Sequence, residues 1–192
     1  MGKIFFKSYQ KYIRESGAGY TVLELLVVIA IIAVISAMVV SSIPLIKSQF
    51  SLSRVANRFQ QDVRRSQELA LSSIEFTDAM GTHPVKGYGI YIDASNNARY
   101  IIYADRAELP ENNKQYDPGL DYIVQTINFA ESEPGIIIKD VRSVGVHFNP
   151  PNPITTLQPP IGSTLEIVFA IESDLSKTKT VSINTTGLVE IK

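Results

Sequence analysis

Residues 20–40 read YTVLELLVVIAIIAVISAMVV, and within them Glu24 is the only group charged at neutral pH. Continued to Ile43, just before Pro44, the stretch makes a helix roughly 36 Å long at 1.5 Å per residue, enough for a hydrocarbon core of about 30 Å. Thirteen Val, Leu and Ile side chains lie between Val22 and Val40. At about 0.4 kcal/mol each they favour insertion by roughly 5 kcal/mol. One central carboxylate opposes this by about 3 kcal/mol, and by less near a helix end. The segment is therefore expected to insert with Glu24 in its first turn. Nothing in helix stability is expected to require that carboxylate, and an intramembrane acid is read first as functional. A secretory signal fits less well. Its apolar core runs about 7–15 residues before a small-x-small cleavage site, whereas this core is longer, carries an acid and is followed by Ser36-Ala37-Met38-Val39-Val40-Ser41-Ser42.

The flanks differ in charge. Residues 1–19 carry a net +3, residues 20–71 a net +2 and residues 72–192 a net −6, within a chain of −1 overall. A basic head, an apolar span and an acidic body describe a protein seated in a membrane with its head in the cytoplasm. The 192 residues have room for one ordinary domain plus a tail. With 45% apolar and 19% charged residues, disorder over most of the length is not expected. There is no Cys, which excludes disulfides, zinc–thiolate and iron–sulfur sites and a cysteine nucleophile.

Around the acid the sequence is Ser16-Gly17-Ala18-Gly19-Tyr20-Thr21-Val22-Leu23-Glu24. A basic leader, a Gly, an aromatic, and a Glu fifth from that aromatic precede the apolar run. This constellation resembles the N-terminus of type IV pilins and type II secretion pseudopilins. The resemblance implies a cytoplasmic leader, residues 1–19, removed by a prepilin peptidase between Gly19 and Tyr20. The same enzyme would methylate the Tyr20 amine. It implies that Glu24 serves assembly, pairing with the terminal amine of a neighbouring subunit. The partners implied are other pilin or pseudopilin subunits, an inner-membrane assembly platform and the lipid bilayer. Gly17 is a second candidate cut site, but cleavage there would make Glu24 seventh. The sequence also departs from the family in having Tyr20 where Phe is commoner, a long leader, and Ala18 before the Gly.

Beyond Pro44, which should kink a helix and not end it, apolar residues recur at Leu52, Val55, Ala56, Phe59, Val63, Ala70 and Ile74. This is one face of an α-helix. One helix from Tyr20 to about Ser72 would be roughly 80 Å long, with residues 20–43 as its transmembrane part and 44–75 as an amphipathic continuation. Residues 76–192 read as β-rich. Strands are expected at Tyr88–Ala94, Arg99–Asp105, Tyr122–Phe129, Ile136–Lys139, Val144–Phe148, Leu165–Glu172, Thr180–Asn184 and Leu188–Ile191. Turns are expected at Asn96-Asn97 and at Asn184–Gly187, and a stiff proline loop from Pro150 to Pro160. The fold class is α+β, a long helix on a mostly antiparallel sheet. Its element order, and the Val181–Ile191 hairpin, are similar to the GspH/FimT-type minor pseudopilins, which implies the pilin lollipop layout.

No catalytic residue is expected, for no G-x-S-x-G, P-loop or H-E-x-x-H pattern is present. No cofactor is expected. Asp105, Asp117 and Asp121 are weighed as oxygen ligands for Ca²⁺, without EF-hand spacing. His83 is expected in an exposed loop and His147 in a strand. Nucleic-acid binding is disfavoured by the −6 body, although Arg99, Arg106, Lys177 and Lys179 could form a local basic patch. Asn184-Thr185-Thr186 matches a glycosylation sequon, which a hairpin turn explains equally well.

Overall fold

The computed structural model describes residues 20–107, 114–150, 154–160 and 162–192. The leader 1–19, with Gly17 and Gly19, lies outside the described residues, as do Pro151 and Pro153. Helix α1 spans Val22–Leu71 and includes Pro44. The chain divides after Ile43 into two compact units.

In the first unit every residue from Tyr20 to Ile43 is exposed. The helix here is apolar and long enough to cross a membrane, and none of its apolar window is buried. In hydrocarbon a helix is the one single-segment structure that satisfies all its own backbone groups.

The second unit, Pro44–Lys192, is α+β. Helix α1 contributes Leu52, Val55, Ala56, Phe59, Val63 and Ala70 to the core. These are the apolar positions spaced for one helix face, with Ser51 and Ser66 beside them. Ile74, placed on the same face by its spacing, lies past the helix end and is 49% exposed. Ser73 ends the helix with a left-handed φ of 47°.

Eleven strands follow among the described residues: β1 (Phe76–Asp78), β2 (Gly81–His83), β3 (Val85–Ile92), β4 (Arg99–Arg106), β5 (Tyr122–Asn128), β6 (Ile136–Lys139), β7 (Val144–Asn149), β8 (Ile154–Gln158), β9 (Thr164–Ile171), β10 (Asp174–Asn184) and β11 (Val189–Ile191). A single turn of helix, α2 (Phe129–Ser132), follows β5. One sheet has the order β5-β4-β3-β7-β8, a second β11-β10-β9-β6, and β1 and β2 form a ribbon of their own. All pairings are antiparallel.

Both larger sheets turn an apolar face to the helix. Tyr88, Ile90 and Ile92 of β3, Tyr100 and Ile102 of β4, and Val144, Val146 and Phe148 of β7 alternate into one core with Ile167, Phe169, Val181 and Ile183 of the other sheet. Phe59 sits at the centre, with its ring edge-on to Tyr100 at 5.0 Å and to Phe169 at 5.4 Å. Its helix therefore joins the two sheets. The last hairpin is tied to the helix by side-chain amides: Gln60 donates to the Val189 carbonyl at 3.1 Å and Gln67 to that of Gly187 at 2.6 Å.

Several expectations need correction. The proline loop contains β8, whose register on β7 runs from Asn149↔Ile154 to Gly145↔Gln158. Its five residues carry no proline, and as an edge strand it tolerates prolines at both flanks. Strand β10 begins at Asp174 and not at Thr180, with an irregularity between Asp174 and Thr178 that hides its alternation. Phe129 is not the end of a strand but the start of α2, where the Asn128 side chain accepts from the Ala130 N–H. His83 is not in a loop. It closes β2, and its ring stacks on Tyr122 at 4.8 Å beside Phe76.

Candidate functional site

At the start of α1 the backbone needs partners for its first N–H groups. Thr21 supplies one: its hydroxyl accepts from the Glu24 N–H at 3.2 Å. Glu24 reaches back, its Oε2 accepting from the Thr21 N–H at 2.9 Å and from the Thr21 hydroxyl at 3.1 Å. This is a reciprocal capping box, with Thr21 as cap and Glu24 at the third helical position. The carboxylate thus contributes to the helix start, a use that the expectation about helix stability left out. The signal was present as Thr21-x-x-Glu24 before an apolar run. Tyr20 lies outside the helix and is 84% exposed. Among the described residues, then, the structure brings together Thr21 and Glu24 and leaves Tyr20 free of the helix.

A second polar cluster lies on the outer face of the five-stranded sheet, opposite to the core. There β3 presents Gly87 and Gly89, β4 presents Tyr103 and Asp105, and β7 presents Gly145 and His147. The glycines leave room for flat rings. A Cβ on Gly89 would stand 2.6 Å from the Tyr103 ring, and one on Gly87 would stand 2.7 Å from His147 Nε2. Tyr116 packs over this layer, with ring centres 5.2 Å from Tyr103 and 4.9 Å from Tyr91. His147 is fully buried and Asp105 nearly so. The Tyr103 hydroxyl is 3.3 Å from His147 Nδ1. Asp105 Oδ2 faces His147 Nε2 at 3.8 Å, too far for a hydrogen bond, and neither of these atoms has a hydrogen-bond partner. Burial, reinforced by Asp121, pushes the Asp105 carboxyl up to about 6. Burial, reinforced by Lys114, pushes His147 down to about 4. Tyr103, His147 and Asp105 are ordered like a proton relay, but the imidazole has no exposed surface at which a substrate could meet it.

The three aspartates weighed for Ca²⁺ come near one another without forming a cation cage. Asp121 spends its oxygens on the N–H groups of Arg106 at 3.1 Å and Asp117 at 2.8 Å, which pins the Asp117–Asp121 turn to β4. Among the described residues no group of three or more His, Asp or Glu side chains could hold a metal ion.

The suggested basic patch does not assemble. Arg99 and Arg106 stand at opposite ends of β4, and Lys177 and Lys179 lie on β10 of the other sheet. Arg99 is 3.9 Å from Asp93, and Arg106 lies over the Tyr122 ring at 5.4 Å. Two cations of α1 are also engaged: Arg54 grips Glu133 through two hydrogen bonds at 2.5 and 2.7 Å, and Arg65 donates to Gln125 at 3.1 Å. In the sequon, Asn184 Oδ1 accepts from Thr186 and Leu188 N–H groups, so its side chain builds the turn before β11.

Comparison with known protein families, with curated proteins and with solved structures finds no match to this chain.

Proposed function

We propose that the chain is a structural subunit, a pilin or minor pseudopilin, of a type IV pilus or a type II secretion pseudopilus. A prepilin peptidase cuts between Gly19 and Tyr20 and methylates the new Tyr20 amine. The exposed helix up to Ile43 lies in the cytoplasmic membrane, with the leader inside and the body outside, until an assembly platform moves it into the filament. There its apolar surface packs on the same helix of neighbouring subunits, and the pilin lollipop layout belongs to this reading. Glu24 is the residue that recognises a neighbour, through that neighbour's terminal amine.

The observation that carries the reading is an apolar helical stretch, residues 22–43, with no buried residue, whose single acid, Glu24, is held in the first turn just past an exposed Tyr20. A plain anchor has no use for an acid at that depth beyond the cap. Once the leader is gone, a cationic amine stands one turn from Glu24, and two opposite charges leaving water together relieve each other's desolvation.

The deciding experiment is the intact mass and N-terminal sequence of the chain made alongside an active prepilin peptidase. A product starting at Tyr20 with one added methyl group supports the proposal. A product that keeps its first residues, with a control substrate cleaved, removes it.

A further inference from the structure

The outer-face cluster carries an inference that does not depend on the filament reading. We propose that Asp105 and His147 work as one proton-binding unit that holds the body's stability level through mildly acid pH. The geometry is a carboxylate oxygen and an imidazole nitrogen 3.8 Å apart, both buried, both without a hydrogen-bond partner, and beneath the segment that carries Tyr116. One proton between them suits both atoms. A protonated Asp105 can donate to Nε2 after a small approach, while Nδ1–H donates to the Tyr103 hydroxyl on the ring's other side. Among the described residues, the titratable and charged groups whose fields reach the pair are Tyr103 on β4, Lys86 on β3, and Lys114, Asp117 and Asp121 on the segment between β4 and β5. Strand β8, next to β7, brings no charged side chain.

The signs follow from proton counting. In the unfolded chain, between about pH 4 and 6.5, the aspartate has lost its proton and the histidine holds one. In the folded chain burial reverses this: Asp105 keeps its proton up to about pH 6, and His147 stays neutral down to about 4. Both states carry one proton on the pair, so the pair adds no slope to stability between about pH 4 and 6. Separately the two residues oppose each other. His147 alone contributes stability present above about 6.5 and lost as pH falls towards 4. Asp105 alone contributes stability present below about 4 and lost as pH rises towards 6. A buried neutral histidine is an ordinary cause of acid unfolding, and the adjacent carboxyl cancels that effect here.

The test is equilibrium unfolding of the full chain in detergent micelles from pH 4 to 7.5, for the wild type, Asp105→Asn, His147→Gln and the double variant. Relative to wild type, the folding constant of Asp105→Asn should rise about tenfold per pH unit as pH increases from 4 to 6. That of His147→Gln should rise about tenfold per unit as pH decreases from 6.5 to 4. The double variant should differ from wild type by a constant factor between pH 4 and 6. Single variants that both keep a constant offset from wild type, or a double variant with a slope, would overturn the proposal. Should a variant fail to fold, ¹³C-labelled histidine in the wild type decides. A His147 ring that stays neutral to about pH 4.5 supports the pair, and one that titrates near 6.5 refutes it.

Discussion

Replacing Glu24 with Gln separates the two things its carboxylate can do. In the structure Oε2 accepts from the Thr21 N–H at 2.9 Å and from the Thr21 hydroxyl at 3.1 Å. A glutamine carbonyl can accept both, so the cap survives and the charge is lost. Thr21→Val does the reverse: it removes the hydroxyl that accepts from the Glu24 N–H and keeps the acid. Loss of a cap costs about 1 kcal/mol of helix stability. Stranding a neighbour's desolvated amine costs about 3–5 kcal/mol, which at 1.4 kcal/mol per tenfold is a factor of at least about a hundred. On the proposed function, Glu24→Gln and Glu24→Ala should both reduce incorporation into filaments about a hundredfold or more. Thr21→Val should reduce it about tenfold at most. All three should remain membrane-inserted after carbonate extraction and should start at Tyr20 by mass. The assay is the fraction of subunit in sheared filaments, with the complete assembly machinery present. If Glu24→Gln assembles like wild type while Glu24→Ala and Thr21→Val both fail, the acid is a helix cap and the assembly argument is wrong.

Three further predictions concern the body. Phe59→Ala removes the ring that touches both sheets and should destabilise the fold by about 3–5 kcal/mol, measured as a shifted denaturant midpoint. Gly89→Ala places a methyl group 2.5 Å from the Val146 carbonyl and 2.6 Å from the Tyr103 ring. It should destabilise by about 1–3 kcal/mol and perturb Tyr103 in the near-ultraviolet circular dichroism. Tyr100→Phe removes the hydroxyl that donates to Asp62 Oδ2 at 2.5 Å. It should cost about 1.5–3 kcal/mol at neutral pH, with a smaller loss when Asp62 is also changed to Asn.

What the sequence made legible was whatever depends on a period. The face Leu52, Val55, Ala56, Phe59, Val63 and Ala70 repeats at helical spacing because a single stripe of α1 is buried, and each of the six is in the core. The hairpin of β3 and β4 was visible because Tyr88, Ile90 and Ile92 alternate against Tyr100, Ile102 and Ala104. The outer-face layer escaped for the same reason. Tyr103, Asp105 and His147 sit at the positions that alternation assigns to solvent, and their burial is tertiary, with Tyr116 packed on the Tyr103 ring. The one local hint was Gly87, Gly89 and Gly145, since glycine inside a strand marks a close approach. Strands β1 and β2 have three residues each, too few for any period to emerge. At the membrane end, a reading concerned with the cost of the Glu24 charge overlooked the hydrogen bonds that a Thr three residues earlier could offer it.

The two glutamine links between α1 and the last hairpin join residues 129 and 120 positions apart in the chain. Their partners leave the ribosome long after the helix does. At about 5–20 residues per second, the delay is roughly 6 to 24 s. During that interval the stripe from Leu52 to Ala70 has been synthesised and the strands that complete its cover have not. Until Val189 arrives, the helix lacks the Gln60 link and β11 has not joined β10. A stop codon before Gly187 would remove both glutamine links together with β11, and the truncated body should unfold at a lower denaturant concentration than the full chain.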